Sequence, residues 1–384
     1  MVRIPSHRRR IKELSIELTH KCPLNCVYCS SNASIHNNNT INYEKIVDTI
    51  KTVKEIFKIN TVSLSGGEAL LYPYFSHLYQ FLKKMNFNIL IYTSGVLLNS
   101  DNTMIPISRS KLKELKISNS NPKFILNING YNKDSIERMN QRKNSFEIIE
   151  NTIKNLSIEE MFFGAHIVPF KLNFKYLEKI VNFCISNNFN EINFLRFVPQ
   201  GRGVNKNLYN TRIEFLEIIK TISKILMKYQ KDSKNDILFR LGHPINFLFL
   251  LNNENLYKRE RFHFCRAGLD APLVLPNGDV IICPAWKDIK EFNLGNIYTQ
   301  SFEEIWNSPI INKLRKFITK EYDQLQEPCK SCDYLESCRG KCIAQKILEQ
   351  KRNGVILPLE KLLLHAPDPQ CFKQYMDGKH NDLK

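Results

Sequence analysis

Polar and apolar residues alternate along Glu13-Leu14-Ser15-Ile16-Glu17-Leu18, the period of a strand with one buried face. Ile46, Val47, Ile50, Val53 and Phe57 then recur at helical spacing and predict a helix over 43–58. Thr61–Ser65 reads as a strand, 73–85 as a helix, and Asn88–Gly95 and Lys123–Gly130 as strands. A helix over 145–157, a strand at Met161–Val168, a helix over 175–187 and a strand at Glu191–Val198 follow. Strands alternating with helices predict an α/β chain built of βα units on a parallel sheet. A long helix is predicted over 208–231, with Phe215, Leu216, Ile219, Ile222 and Leu226 inward, whereas 232–264 has no clear period. The chain thus divides into a basic tail (1–12), an α/β unit (13–205), a helical bridge (206–264) and a cysteine-rich region (265–384).

A chain of 384 residues is long enough for two domains with real cores, and 43% hydrophobic with 24% charged residues is a globular balance. Met1–Arg10 has no apolar segment behind its charges, so no signal peptide is expected. The run Phe247–Leu251 is too short to span a membrane. A cytoplasmic location follows, and there eleven cysteines point to metal rather than disulfides. The net charge of +17 invites a nucleic-acid reading. Lys and Arg are dispersed apart from Arg8-Arg9-Arg10, however, which suits a solvated basic surface and an acidic partner better.

Three cysteines stand in Thr19-His20-Lys21-Cys22-Pro23-Leu24-Asn25-Cys26-Val27-Tyr28-Cys29, spaced C-x3-C-x2-C. Short-spaced cysteines suit zinc, and His20 or His36 is near enough to complete such a site. They equally suit a four-iron cluster, where closed clusters take four thiolates and three leave one iron open. With aromatic Tyr28 before the last cysteine, the motif resembles the signature of the radical S-adenosylmethionine (SAM) superfamily. In that family the open iron binds the amino and carboxylate groups of SAM, and an electron from the cluster cleaves SAM to a 5′-deoxyadenosyl radical. The resemblance implies a partial (β/α)6 barrel with its site at the C-terminal strand ends.

Other motifs fall at those ends. Gly66-Gly67-Glu68 closes the second strand, 37 positions after Cys29. Two glycines let the backbone approach a ligand closely, and in the family this G-G-E binds the SAM ammonium. Thr93-Ser94-Gly95 stands where the family often has T-N-G, and Asn127-Ile128-Asn129-Gly130 where S-x-D-G is common. The resemblance therefore implies SAM contacts from Tyr28, Gly66, Gly67, Glu68, Thr93, Ser94 and Asn127. It adds Arg142 near the SAM carboxylate and the backbone at Leu195 near adenine. Arg196 and Arg202 are open between facing the substrate and a structural role.

A second cysteine set follows: Cys265-x12-Gly278-x4-Cys283, then Cys329-x2-Cys332-x5-Cys338-x3-Cys342, then Cys371. A zinc ribbon would account for Cys329, Cys332, Cys338 and Cys342 and leave the other three unexplained. With Leu294-Gly295-Asn296-Ile297 and Phe302-Glu303-Glu304-Ile305-Trp306, the set resembles the SPASM domain, a small α+β auxiliary-cluster module of peptide-modifying radical SAM enzymes. The resemblance implies two auxiliary [4Fe–4S] clusters. Cluster II takes Cys329, Cys332, Cys338 and Cys371. Cluster I takes Cys265, Cys283 and Cys342; where some relatives supply a fourth cysteine this chain has Ala271, leaving either an open iron or a ligand such as Asp270. Three clusters together would remove roughly four positive charges and leave the chain basic. Cys184, on the apolar face of a predicted helix, reads as a buried thiol.

What the resemblance implies for function is hydrogen abstraction from a peptide or protein side chain, giving a cross-link, thioether or oxidised residue. Pro284-Ala285 replaces the Asp that follows the second SPASM cysteine in sulfatase maturases, which argues against that activity. Expected partners are a flavodoxin- or ferredoxin-type electron donor and, for a leader if one is used, either a separate leader-peptide-binding protein or the basic surface, since residues 1–12 are too few for a leader-binding domain. The alternatives are radical oxidation of a small molecule such as a haem precursor, and a non-catalytic iron–sulfur or zinc protein that binds nucleic acid. Gly66-Gly67-Glu68 argues against the last.

Overall fold

The computed structural model describes residues 11–116, 121–230, 237–241, 267–332, 335–340, 342–355, 357–365 and 368–371. The alternation read from the sequence is realised as β1 (Glu13–Thr19), α1 (Tyr43–Phe57), β2 (Thr61–Gly66), α2 (Phe75–Lys84) and β3 (Asn88–Thr93). A hairpin of β4 (Val96–Leu98) and β5 (Met104–Pro106) and the helix α3 (Arg109–Leu115) come next. These short elements carry too few residues to show a period. Then follow β6 (Lys123–Asn127), α4 (Lys133–Asn140), α5 (Ser145–Ile158), β7 (Phe163–Ile167), α6 (Leu177–Ser186), β8 (Glu191–Phe194) and α7 (Arg212–Gln230). Asn132 starts α4 through a reciprocal capping box with Ser135.

Neighbouring strands lie in the order β1-β2-β3-β6-β7-β8, all parallel, so the six expected units are present by residue 205. The bridge departs from expectation. Besides α7 it supplies a seventh parallel strand, β9 (Leu238–Leu241), paired to β8 from Glu191↔Leu238 to Phe194↔Leu241. Residues 242–264 and Cys265 lie outside the described residues. The cysteine-rich region then joins the other edge of the same sheet. Its β10 (Leu273–Val274) runs parallel to β1 at Ser15↔Leu273, and β11 (Val280–Ile281) turns back against β10. Beyond lie α8 (Phe302–Trp306), α9 (Pro309–Lys316), α10 (Leu335–Cys338), α11 (Ile343–Arg352) and α12 (Leu359–His365).

Strand alternation sorts the two faces of the sheet. Leu14, Ile16, Leu18, Val62, Leu64, Ile89, Ile91, Phe124, Leu126, Ala165, Ile167, Ile192 and Phe194 are buried in one core with Ile46, Ile50, Val53 and Leu78 of the flanking helices. Each of these side chains but Ala165 contributes about 1.5–3 kcal/mol on burial. The strand registers put Ser15, Glu17, Ser63, Tyr92, Asn127, His166 and Asn193 on the opposite face. Parallel strands are commonly apolar on both faces. This sheet instead carries mostly polar side chains on its second face, with Leu90 and Ile125 among them.

Candidate active site

The three N-terminal cysteines lie on the segment between β1 and α1, and that segment is held by its backbone. The Cys22 amide donates to Ser34 O at 3.0 Å, and the Asn25 and Val27 amides donate to Asn140 O and Met139 O, each at 3.0 Å. Two arginines take up further carbonyls. Arg142 Nε donates to Pro23 O at 3.0 Å, and Arg202 donates to Cys26 O at 2.8 Å and to Ala33 O at 2.9 Å. The Arg202 amide adds a bond to Cys29 O at 2.9 Å. Both arginines thus brace the cysteine loop. The structure gives Arg202 the structural role rather than a substrate-facing one. It ties Arg142, expected near the SAM carboxylate, to the Pro23 carbonyl.

The thiols stand close enough to perturb one another. Burial, then the neighbouring Cys26 and Glu68, pushes the Cys22 thiol well up. Burial and Cys29 push Cys26 up to about 12. Two enclosed thiols, Cys22 and Cys26, that resist ionisation suit a cationic metal centre, which binds thiolates and removes that penalty. His20, the potential zinc ligand, turns instead to Glu17, with Nε2 3.0 Å from Oε2.

The two glycines after β2 do something the sequence did not reveal. A Cβ on Gly66 would lie 2.3 Å from Thr19 O, and one on Gly67 would lie 2.5 Å from Lys21 O. What they approach is the backbone entering the cysteine loop. The Gly67 and Glu68 amides donate to Thr19 O and Lys21 O at 2.6 and 2.9 Å. Glu68 is fully buried. Its carboxylate accepts from Thr93 Oγ1 at 2.8 Å, from the Ser94 amide at 2.8 Å and from Ser94 Oγ at 2.6 Å. Burial still raises its pKa above the ordinary value, against these bonds. Cys22, Gly66, Gly67, Glu68, Thr93 and Ser94 therefore form one connected unit.

The remaining expected contacts are more dispersed. Tyr28 packs on Phe170, ring centroids 5.4 Å apart, in a small apolar cluster with Phe197. Asn127 is exposed at the end of β6. The Leu195 amide donates to Ile167 O at 2.8 Å just past β8. On the polar face, Tyr92 and His166 stand with rings 5.1 Å apart. Burial holds the His166 imidazole down to about 4, so it is neutral at pH 7. The sequence carried a signal for this pair: Tyr92 and His166 each stand on the face opposite the core positions of a largely apolar strand.

The Cys283 loop docks at this same end. Lys287 Nζ pairs with Glu17 Oε1 at 2.5 Å and donates to Ser30 and Ser31 Oγ at 3.0 and 2.6 Å, just beyond Cys29. Burial raises the Glu17 pKa, but Lys287 and His20 outweigh it and hold the carboxyl at about 2. Gln200 Nε2 donates to Pro284 O at 2.5 Å, and the Gly201 amide donates to Asp288 Oδ2 at 2.9 Å. Asp270, the alternative fourth ligand, is buried, with its carboxylate 3.9 Å from Lys12 Nζ.

Arg196 turns out to be structural. It forms a buried bidentate pair with Asp368 and also donates to Gln345. Asp368 in turn accepts from the Cys342 amide at 3.0 Å, and its carbonyl accepts from the Cys371 amide at 2.8 Å. Cys329 and Cys332 share a turn, with Cys332 N donating to Cys329 O at 3.1 Å, and Cys338 ends α10. Cys184 is fully buried on α6, and burial pushes its thiol up.

Comparison with known proteins agrees with this geometry. A model described as the radical SAM superfamily matches residues 16–184, and the SPASM model, an iron–sulfur cluster-binding domain, matches 265–333. The chain is a radical SAM/SPASM enzyme. Its cofactors are SAM and [4Fe–4S] clusters. The radical SAM/SPASM chain is 25% identical over 370 residues to the mycofactocin maturase MftC of Mycobacterium ulcerans, covering 94% of this chain and 88% of that one. It is 24% identical over 330 residues to the subtilosin biosynthesis protein AlbA of Bacillus subtilis, covering 84% and 66%. Among solved structures, Streptococcus suis SuiB shares the fold at TM-score 0.70 and 16% identity over 94% of this chain and 77% of SuiB. SuiB has also been solved bound to its precursor peptide SuiA. Among the described residues, no helix is long and apolar enough to cross a membrane.

Proposed function

We propose that this enzyme modifies a peptide or protein side chain, with Cys22, Cys26 and Cys29 holding the SAM-binding cluster. Cys265, Cys283 and Cys342 hold auxiliary cluster I in this reading, and Cys329, Cys332, Cys338 and Cys371 hold cluster II. The observation that carries it is the docking of the Cys283 loop onto the first cysteine loop through Glu17 and Lys287. The names of the relatives, a mycofactocin maturase and a bacteriocin biosynthesis protein, support a peptide as substrate. A cluster held by Cys22, Cys26 and Cys29 would, with SAM bound, supply the radical chemistry for removing a hydrogen atom from the substrate.

The chain's own residues then bind and orient. Arg142 and Arg202 keep the cysteine loop in shape. Glu68, seated by Thr93 and Ser94, is a carboxylate acceptor for the SAM ammonium, with Tyr28, Asn127 and Leu195 around the rest of the molecule. Tyr92, His166 and Asn193 line the space for the substrate, and the neutral imidazole of His166 accepts a proton or a hydrogen bond there. The barrel covers 13–241 and the auxiliary-cluster region begins near 265. A flavodoxin- or ferredoxin-type donor, a separate leader-binding protein and a cytoplasmic location complete the reading.

The test is the Cys22/Cys26/Cys29→Ala variant, assayed anaerobically with dithionite and SAM. Formation of 5′-deoxyadenosine is expected to be abolished. Cleavage at the wild-type rate would overturn the assignment.

A further inference from the structure

Lys346 lies in the first turn of α11, four positions after Cys342, and is 1% exposed. Its ammonium donates to Leu363 O at 2.5 Å and lies 5.7 Å from the Phe317 ring centroid. It also lies 3.4 Å from where a Cβ on Gly340 would sit, between Cys338 and Cys342 in the chain. Enclosing an ammonium costs several kcal/mol unless opposite charge repays it. Burial pulls this one down to about 8, while Cys329, Asp368 and Cys338 push the other way. A carbonyl supplies a hydrogen bond but no net charge. Asp368 is already committed to Arg196. Lys346 lies against Gly340, two residues after Cys338, and among the described residues Cys329 and Cys338 supply the other opposite charge that acts on its ammonium.

We infer that Lys346 is a built-in cation for auxiliary cluster II, stabilising its reduced state and raising its midpoint potential. The inference rests on the ligand assignment proposed above. By charge addition, a cluster with four thiolates carries about −2 when oxidised and about −3 after taking up one electron. A fixed positive charge favours the more negative state, and low surrounding polarity strengthens the effect. Lys346 thus acts through the cluster as a tuning residue, leaving the first cluster and SAM untouched.

The experiment uses the full chain with Cys22/Cys26/Cys29→Ala, reconstituted with iron and sulfide. The two auxiliary centres are then titrated with dithionite and mediators and followed by electron paramagnetic resonance. Lys346→Met is expected to move one of the two reduction waves to more negative potential and leave the other in place. Lys346→Arg, which keeps the charge, is expected to leave both. If Lys346→Met loses about four irons per chain while Lys346→Arg stays loaded, Lys346 holds cluster II in place rather than tuning it, which overturns the inference. Unmoved waves in Lys346→Met, an equal shift in Lys346→Arg, or loss of iron from both variants would overturn the inference. A background protein that never acquires about eight irons removes the ligand assignment itself, and the inference with it.

Discussion

Arg196 and Asp368 stand 172 positions apart in sequence and meet in a bidentate ion pair, 2.5 Å on each branch, with both side chains 3% exposed. The pair joins the end of β8 to the segment that holds the Cys342 and Cys371 amides. Burial alone would raise the Asp368 pKa, but the Arg196 guanidinium holds it below the ordinary carboxylate value.

Removing one partner of a buried pair leaves the other charge stranded, which costs about 3–5 kcal/mol. Arg196→Met is therefore expected to lower the unfolding free energy of the reconstituted enzyme by that amount, read as a lower urea midpoint. Arg196→Lys restores the charge but not the planar fork and is expected to recover only part of it. An unchanged midpoint in Arg196→Met would show that the pair does not hold the two regions together.

Gly67→Ala places a methyl 2.5 Å from Lys21 O and 2.8 Å from His20 O, both backbone atoms. Such overpacking costs about 1–3 kcal/mol, and here it displaces the cysteine loop. Loss of about four irons per chain is expected, with the auxiliary iron retained. Full iron with normal SAM cleavage would refute this role.

His166 gives an acid-side slope. Its pKa falls from 6.5 to about 4 in the folded state, so below the unfolded value the unfolded chain binds the extra proton. Its stabilising contribution is complete above 6.5 and is lost as pH falls towards about 4. The melting temperature of the wild type is expected to drop faster than that of His166→Gln between about pH 7.5 and 5.5. Parallel curves would mean that the imidazole protonates freely.

Cys283→Ala separates the two halves of the chemistry. The Cys283 loop docks through Lys287 and Pro284 rather than through the Cys22–Cys29 thiols. Formation of 5′-deoxyadenosine is expected to continue while peptide product disappears, as mass spectrometry of the substrate would show. Loss of both activities together would merge the sites.

The sequence alone determined the chemistry and the order of the layers. Cysteine spacing, the G-G-E turn and the change between strand and helix periods are all local. They sit in consecutive residues whose pattern is legible before folding. The short hairpin of β4 and β5 escaped because three-residue strands show no period. β9 escaped because Leu238–Leu241 becomes a strand only by pairing with β8. Tertiary structure alone decided what the charged residues do. Nothing near Arg196 in sequence names Asp368, and nothing near Glu17 names Lys287. Gly66 and Gly67 were legible as a place of close approach, but what they approach is set by where β1 ends. Long-range pairing depends on which chain segments the packed sheet brings together. The local pattern specifies the segments, and only the folded register specifies their neighbours.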